Sequence, residues 1–321
     1  MNAVIGVLLA ILVYPGLLIA LLAAWALTWV RTSVFAAAQG RPVSDPLAFP
    51  GAVRTAFDKE GILPTGVFAP ATTVATLVAV VCPLLALIFL PLPGNPMVSA
   101  IGLQGDIIAA GAFLLAAPLA RLFAGWVAPS PYTRLAADRN ARLLAGATLP
   151  AALALTATAQ TFVSLRLDTM MAPASVPTII LITRLLAAAA FACALPVLAR
   201  AATLPQVEDG APLPSSELGE ISGRHLALFR VSEALQLVAV AAVFVSVFII
   251  PLVSGVTNTG VRYLVWALAV IAVAVGVALW DALRHQTIEH AERPPVTWWL
   301  GVPVLLALAA LVAAAWAGRG A

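Results

Sequence analysis

Ionisable side chains are scarce in this sequence, and several stand inside or against long apolar runs. Glu233 lies about seven residues into one run, roughly 10 Å from its start at helical rise, with Arg230 and Gln236 three positions either side on the same helical face. Arg184 stands deep in a second run, Arg121 about a turn and a half from the end of a third, and Asp281 closes a fourth beside Trp280 and Arg284. Glu220 precedes the run that holds Glu233. An ionised group in hydrocarbon costs several kcal/mol unless it faces a bundle interior or a water-filled cavity. Two roles meet that constraint: a polar path that carries ions, or a buried ion pair that ties helices together. Both stay open for Glu233 and Arg184. Arg121 and Arg230 lie close enough to run ends to snorkel to an interface. Asp281 reads as a solvated interfacial carboxylate, and Asp106, opening a run, as a partner for a helix N-terminus. A carboxylate in a dry bundle titrates nearer neutrality because desolvation penalises its charged form, which a relay requires.

Other chemistry finds no residues. His225, His285 and His290 fall at or outside run ends, where a bis-His haem could not be held. Cys82 and Cys193 each lie within an apolar run and cannot supply the thiolate set of an iron–sulfur cluster, nor do they suggest a disulfide. Nucleophile elbows, phosphate-cradling glycine loops and paired-carboxylate motifs are missing. The expectation is a chain with no catalytic residues, metal ligands or cofactor of its own.

The elements that must position these residues follow from composition. Of 321 residues, 62% are hydrophobic and 10% charged, with a mean hydropathy of +1.04. A soluble domain has about a quarter charged residues, so a soluble enzyme is excluded. Lys59 is the single lysine and the arginines are scattered, which argues against nucleic acid despite the net charge of +3. Apolar runs bounded by charges, Pro and Gly predict an all-α polytopic membrane protein in one domain, 1–321. Its eight spans cover 3–30, 68–92, 104–127, 143–164, 174–199, 226–251, 261–283 and 297–317. The first is read as a retained span, since it lacks a basic n-region and a cleavage site. Pro83, Pro118, Pro177 and Pro196 predict bent or locally unwound helices.

An even number of spans puts both termini on one side. Loops after spans 1, 3, 5 and 7 hold Arg31, Arg41, Arg54, Lys59, Arg134, Arg139, Arg142, Arg200, Arg224, Arg230, Arg284 and Arg293, against Arg166, Arg262 and Arg319 on the opposite face. Cytoplasmic loops retain Lys and Arg, so both termini are expected outside. Trp29, Trp126, Trp280, Trp298 and Trp299 fall at the predicted cytoplasmic span ends and Trp316 at an outer one, as interfacial indoles prefer. Segment 43–63 separates Leu47, Ala48, Ala52, Val53, Ala56 and Phe57 from Arg54, Asp58 and Lys59, which predicts an amphipathic helix over about 46–60 along the cytoplasmic surface.

Three stretches carry a family resemblance. QGRPVSDPLAFPGAVRTAFDKEGILP (39–64), with Arg41, Pro42, Pro50, Lys59, Glu60 and Pro64, resembles an Arg-Gly-Pro stretch followed by a surface helix ending in Lys-Glu and Pro. LARLFAGWVAPSPYTRLAADRNARLLAGATLP (119–150) resembles a Gly-Trp and Ser-Pro-Tyr loop whose Arg opens span 4, and ELGEISGRHLALFRVSEALQ (217–236) a Glu-Tyr-Ser-Gly signature with Ile221 in the Tyr place and Glu233 at an acidic position. Together they resemble the membrane subunit of respiratory complex I at the junction with its peripheral arm, leaning toward its homologues in membrane-bound group 4 hydrogenases and formate hydrogenlyases. The family has eight spans. Two departures stand out: Thr148 where members carry a Glu before Pro, and a loop over 200–224 that keeps little of the charged segment of quinone-reactive members.

The resemblance implies a non-redox subunit of an oxidoreductase assembly in a bacterial or archaeal cytoplasmic (inner) membrane. It would anchor a peripheral electron-transfer module and couple it to proton or sodium movement. Iron–sulfur clusters, and nickel–iron or quinone, would belong to partner subunits or their interface. The other partners implied are further membrane pump subunits and lipid. Glu220, Glu233, Arg184, Arg121 and Asp281 are candidates for the ion path or its coupling, and Arg41, Arg54, Lys59, Arg134, Arg139 and Arg224 for docking. A stand-alone secondary transporter is the alternative, and it requires two related halves, of which no internal repeat gives a sign. A lipid transferase would need clustered carboxylates, and here the acids are dispersed.

Overall fold

Ten helices account for nearly all of the computed structural model, which describes residues 11–13, 16–61, 69–90, 92, 105–170, 178–199, 217–253, 259–290 and 296–317. They are α1 (Leu17–Ala38), α2 (Ala48–Asp58), α3 (Ala69–Phe89), α4 (Ile107–Val127), α5 (Pro131–Phe162), α6 (Leu167–Met170), α7 (Thr178–Leu198), α8 (Gly223–Phe244), α9 (Thr259–His290) and α10 (Val296–Ala317). Seven among the described residues are long and apolar enough to cross a membrane, and α10, at the eighth expected span, is apolar over Gly301–Ala317. The protein is therefore an all-α polytopic membrane protein. The face carrying α2 is called the near face below. Residues 1–10, the loop segment 200–216 with Arg200, and Pro177, Arg293 and Arg319 lie outside the described residues, as do the side chains of Arg284, His285, His290, Trp298 and Trp299.

Three helices run past their expected ends, for one physical reason. A charge was read as a span boundary, but a helix continues through a charge that is paired or that projects beyond the hydrocarbon. α1 extends to Ala38 because Arg31 lies on it, 3.2 Å from Asp281 of α9. α5 starts at Pro131, twelve residues before the expected 143, with Ser130 before it and Pro at the first helical position, where its missing N–H costs nothing. Its 32 residues reach about 48 Å at 1.5 Å each, well beyond a core of roughly 30 Å. Arg134, Arg139 and Arg142 thus stand on a helix, not in a loop. α9, also 32 residues, continues beyond Asp281 in the same way.

α8 is the centre of the bundle. Of its most apolar stretch, 83% is buried, against 17–50% for the other candidate spans. It packs on α1, α2, α3, α4, α7 and α9, while α5, α7 and α10 pack on one another and α3 on α4. Ala239, Val240, Ala241 and Ala242 are fully buried, small enough to let neighbouring backbones come close. Beyond Phe244 the helix widens into a π turn (Val245–Ile249) and then tightens (Ile250–Val253), and Phe191, Phe244 and Phe248 cluster there at centroid distances of 5.5–5.9 Å. Deeper toward the near face, Pro118 removes the N–H that would bond Leu114 O in α4. Gln236 answers that carbonyl, its Nε2 donating to Leu114 O at 2.7 Å and to Leu198 O at 3.3 Å.

On the far face, Ile107 N–H donates to Leu165 O at 3.0 Å and Leu167 N–H to Gly105 O at 2.9 Å, tying the start of α4 to the end of α5. Asp106 Oδ1 accepts from Ile108 N–H at 2.9 Å and caps α4. α5 ends on Val163 at φ 48°, a left-handed conformation costly for a β-branched residue, and Val163 is 91% exposed. Val163→Gly removes that strain and little packing. We expect the subunit to gain up to about 1 kcal/mol in stability, read as a higher unfolding temperature in detergent; a lower one would contradict the strain argument.

Candidate functional site

The three stretches that resemble one family meet at the near face around a buried ion cluster. α4 places Arg121 about a turn and a half from its end, as the sequence implies, but the guanidinium does not snorkel. It is 7% exposed, with Nη1 3.0 Å from Glu233 Oε2 of α8 and Nε 3.5 Å from Glu217 Oε1. Glu217, in the turn before α8, is 1% exposed, and its Oε2 accepts from Asn140 Nδ2 of α5 at 2.7 Å. One guanidinium thus lies between two carboxylates drawn from separate elements. Neither Glu217 nor Asn140 was singled out from sequence: Glu217 reads as a loop acid six residues before a helix, and Asn140 as surface polarity among arginines.

Two glycines explain why these stretches meet. A Cβ on Gly125 would stand 2.8 Å from the Cβ of Glu217 and 3.1 Å from its carbonyl oxygen, so only glycine lets the turn settle on α4. Gly223 has φ +66°, and a Cβ there would stand 2.5 Å from Gly61 Cα. The Ser-Gly of the signature is thus the seat for the end of the surface segment, and Ser222 Oγ donates to Glu60 O at 3.3 Å. Trp25 and Trp29 of α1 hold the other end of that segment, donating to Pro46 O at 2.7 Å and Ser44 O at 3.0 Å.

The remaining candidates separate. Arg230 does not neighbour Glu233 in a polar patch; it reaches out to α2 and donates to Ala52 O at 3.0 Å. Asp281 is not solvated but 7% exposed and paired with Arg31. Arg184 lies toward the far face, away from Glu233. Its Nη2 donates to Met170 O at 2.8 Å and its guanidinium stacks over Phe162 at 4.9 Å, with no carboxylate in ion-pair range among the described residues. Glu220 is half-buried, and its Oε2 is buried with no hydrogen-bond partner among the described residues. The same holds for Thr72 Oγ1, Ser232 Oγ and Gln236 Oε1. Thr148 spends its hydroxyl on its own helix, donating to Leu144 O at 2.6 Å.

Of the docking candidates, Arg41, Arg54, Lys59, Arg134 and Arg224 are exposed and Arg139 is half-buried. They share the near face. On the far face, the Arg166 guanidinium is hydrogen-bonded to Asp168 and holds its carboxyl below the usual range, an exposed pair of small energetic weight.

The family model of NADH dehydrogenase matches residues 10–315, nearly the whole chain. The chain belongs to the NADH dehydrogenase family. Its apolar spans make this family member a complex-I-like integral membrane subunit. No curated protein gives a significant match. Among solved structures, it is similar to a chain of the membrane-bound sulfane sulfur reductase (MBS), an archaeal respiratory membrane complex, with a TM-score of 0.74 and 20% identity over 98% of this chain and 100% of that one.

Arg121 is expected to hold the site together. Arg121→Met leaves two carboxylates near each other with no guanidinium between them, and breaking a buried pair from one side is strongly destabilising. Glu233 keeps a third of its side chain exposed, so the expected loss is about 3 kcal/mol. It is measured by unfolding in detergent. Glu217→Gln, which keeps an acceptor for Asn140, is expected to cost less, and equal costs would remove Arg121 from that role.

Proposed function

We propose that this NADH dehydrogenase family member anchors a peripheral electron-transfer module on its near face and couples it to proton or sodium translocation across the membrane. The single observation that carries this is the Arg121–Glu217–Glu233 cluster, placed where the three family-like stretches converge. A charged cluster there can sense a change in a docked partner, because moving one of the loops alters the field on the carboxylates inside. The near face supplies exposed cations for an acidic partner surface at Arg41, Arg54, Lys59, Arg134 and Arg224. Their excess over the far face supports a cytoplasmic near face, both termini outside, and placement in a bacterial or archaeal inner membrane.

Iron–sulfur clusters, with nickel–iron or quinone, would belong to the docked module or its interface, as the family resemblance of the three stretches implies. A stand-alone transporter is not favoured by the family match.

Two experiments test this. In the intact assembly, Glu233→Gln keeps size and hydrogen bonding but removes the titrating group. Translocation should fall at least tenfold while the complex still assembles and transfers electrons; an unchanged pumping rate would exclude Glu233 from the path. Protease and labelling access to residues 31–61 and 128–142 should drop when the peripheral module is present. Equal access with and without the module would refute docking on this face.

A further inference from the structure

We propose that His225 is the group through which protons pass between water at the near face and the buried carboxylates, an inference that rests on the coupling function above. His225 is the third residue of α8 and half-buried. Its Nδ1 lies 3.2 Å from Thr76 Oγ1 of α3, and Thr76 is itself 1% exposed. Thr76 Oγ1 also lies 2.7 Å from Thr72 O, one turn back on its own helix. A hydroxyl carries one proton, and the shorter contact takes it. Thr76 therefore accepts from His225, which assigns the proton to Nδ1 and leaves Nε2 as the basic nitrogen. A ring held this way gains and loses its charge at one defined atom, with its orientation set by α3.

A hydronium ion in the near-face water gives its proton to Nε2, leaving water and the imidazolium; the imidazolium then passes that proton through intervening water to the Glu220 carboxylate, giving the carboxylic acid and restoring the neutral ring. Glu220 precedes His225 by five residues, and its Oε2 is buried with no partner among the described residues. Further along α8, Ser232 Oγ and Gln236 Oε1 are likewise buried and unmatched, as is Thr72 Oγ1 of α3. Buried polar atoms are hydrogen-bonded, by ordered water where protein offers nothing, so each of these atoms is a place that water can serve. The ionisable groups on the elements around the ring are Glu220, Arg224 and Arg230 on its own segment, Arg54 and Asp58 on α2, Lys59 and Glu60 at the end of the surface segment that abuts Gly223, and Arg121 with Glu217 and Glu233 beyond. α1 adds Arg31, paired with Asp281, and α3 adds none but the Cys82 thiol.

The test uses the intact membrane assembly. In His225→Ala, translocation should fall at least tenfold while electron transfer continues, and added imidazole should restore it. Thr76→Val removes the acceptor that favours the imidazolium over the neutral ring, so the acid limb of translocation should move to lower pH. A His225→Ala assembly that pumps at the original rate overturns the proposal, as does one that loses pumping and does not respond to imidazole, which marks a structural role. If the unaltered assembly transfers electrons without translocating ions, the coupling function itself fails. The histidine is then read directly by 15N NMR of the ring: a proton on Nδ1 and a pH-dependent Nε2 signal that moves in Thr76→Val support it as a proton-exchanging group, and a ring silent to pH overturns it.

Discussion

Hydrocarbon offers no hydrogen bonds, so the polar groups that a central helix carries into the bundle must be answered by another element or by water. α8 is that helix, and its polar side chains fix most of its neighbours. His225 meets Thr76 of α3, Arg230 meets the Ala52 carbonyl of α2, and Glu233 meets Arg121 of α4. Gln236 meets the carbonyl that Pro118 frees in α4, and Ser246 accepts from Trp266 of α9 at 3.2 Å. Most of the apolar residues between these points are buried, and contacts of this kind permit many rotations of one helix against another. The polar contacts permit one.

The same economy shapes the near face. A proline-broken carbonyl would be a defect in isolation, yet with Gln236 across from it the break becomes an attachment. A turn of charged residues before α8 would be a loop in water, yet with Gly125 beneath and Asn140 beside it the turn is buried and Glu217 becomes part of the bundle. Glycine at Gly125 and Gly223 removes the side chain that would hold these backbones apart. The contacts that bury the cluster are the ones that bring the three family-like stretches together.

The departure at Thr148 has a local consequence. Its hydroxyl is bonded within α5 and contributes no titrating group to the interior. Among the described residues the acidic groups of the bundle interior then lie at its near end, in Glu217, Glu220, Glu233 and Asp281. The interior acids among the described residues are thus gathered close to the near face.

Much of the architecture was legible in the sequence. Composition excluded a soluble fold, apolar run length marked the crossings, and the spacing of residues 46–60 marked the surface helix, because burial in hydrocarbon imposes a pattern on each segment separately. Helix ends were less legible, since Arg31, Arg134 and Asp281 looked like stops until their partners, or the length of helix outside the membrane, were known. Pairings were not legible at all. That Arg121 joins Glu217 to Glu233, that Asp281 belongs to Arg31, and that Arg184 stands apart at the other face depends on which helices are neighbours and how each is rotated. Those are decided by contacts between residues up to 250 positions apart, and no local pattern encodes them. The sequence alone determined that charges lie within the membrane; only the tertiary structure decided which of them share a site, because an ion pair is a property of two helices and a sequence pattern is a property of one.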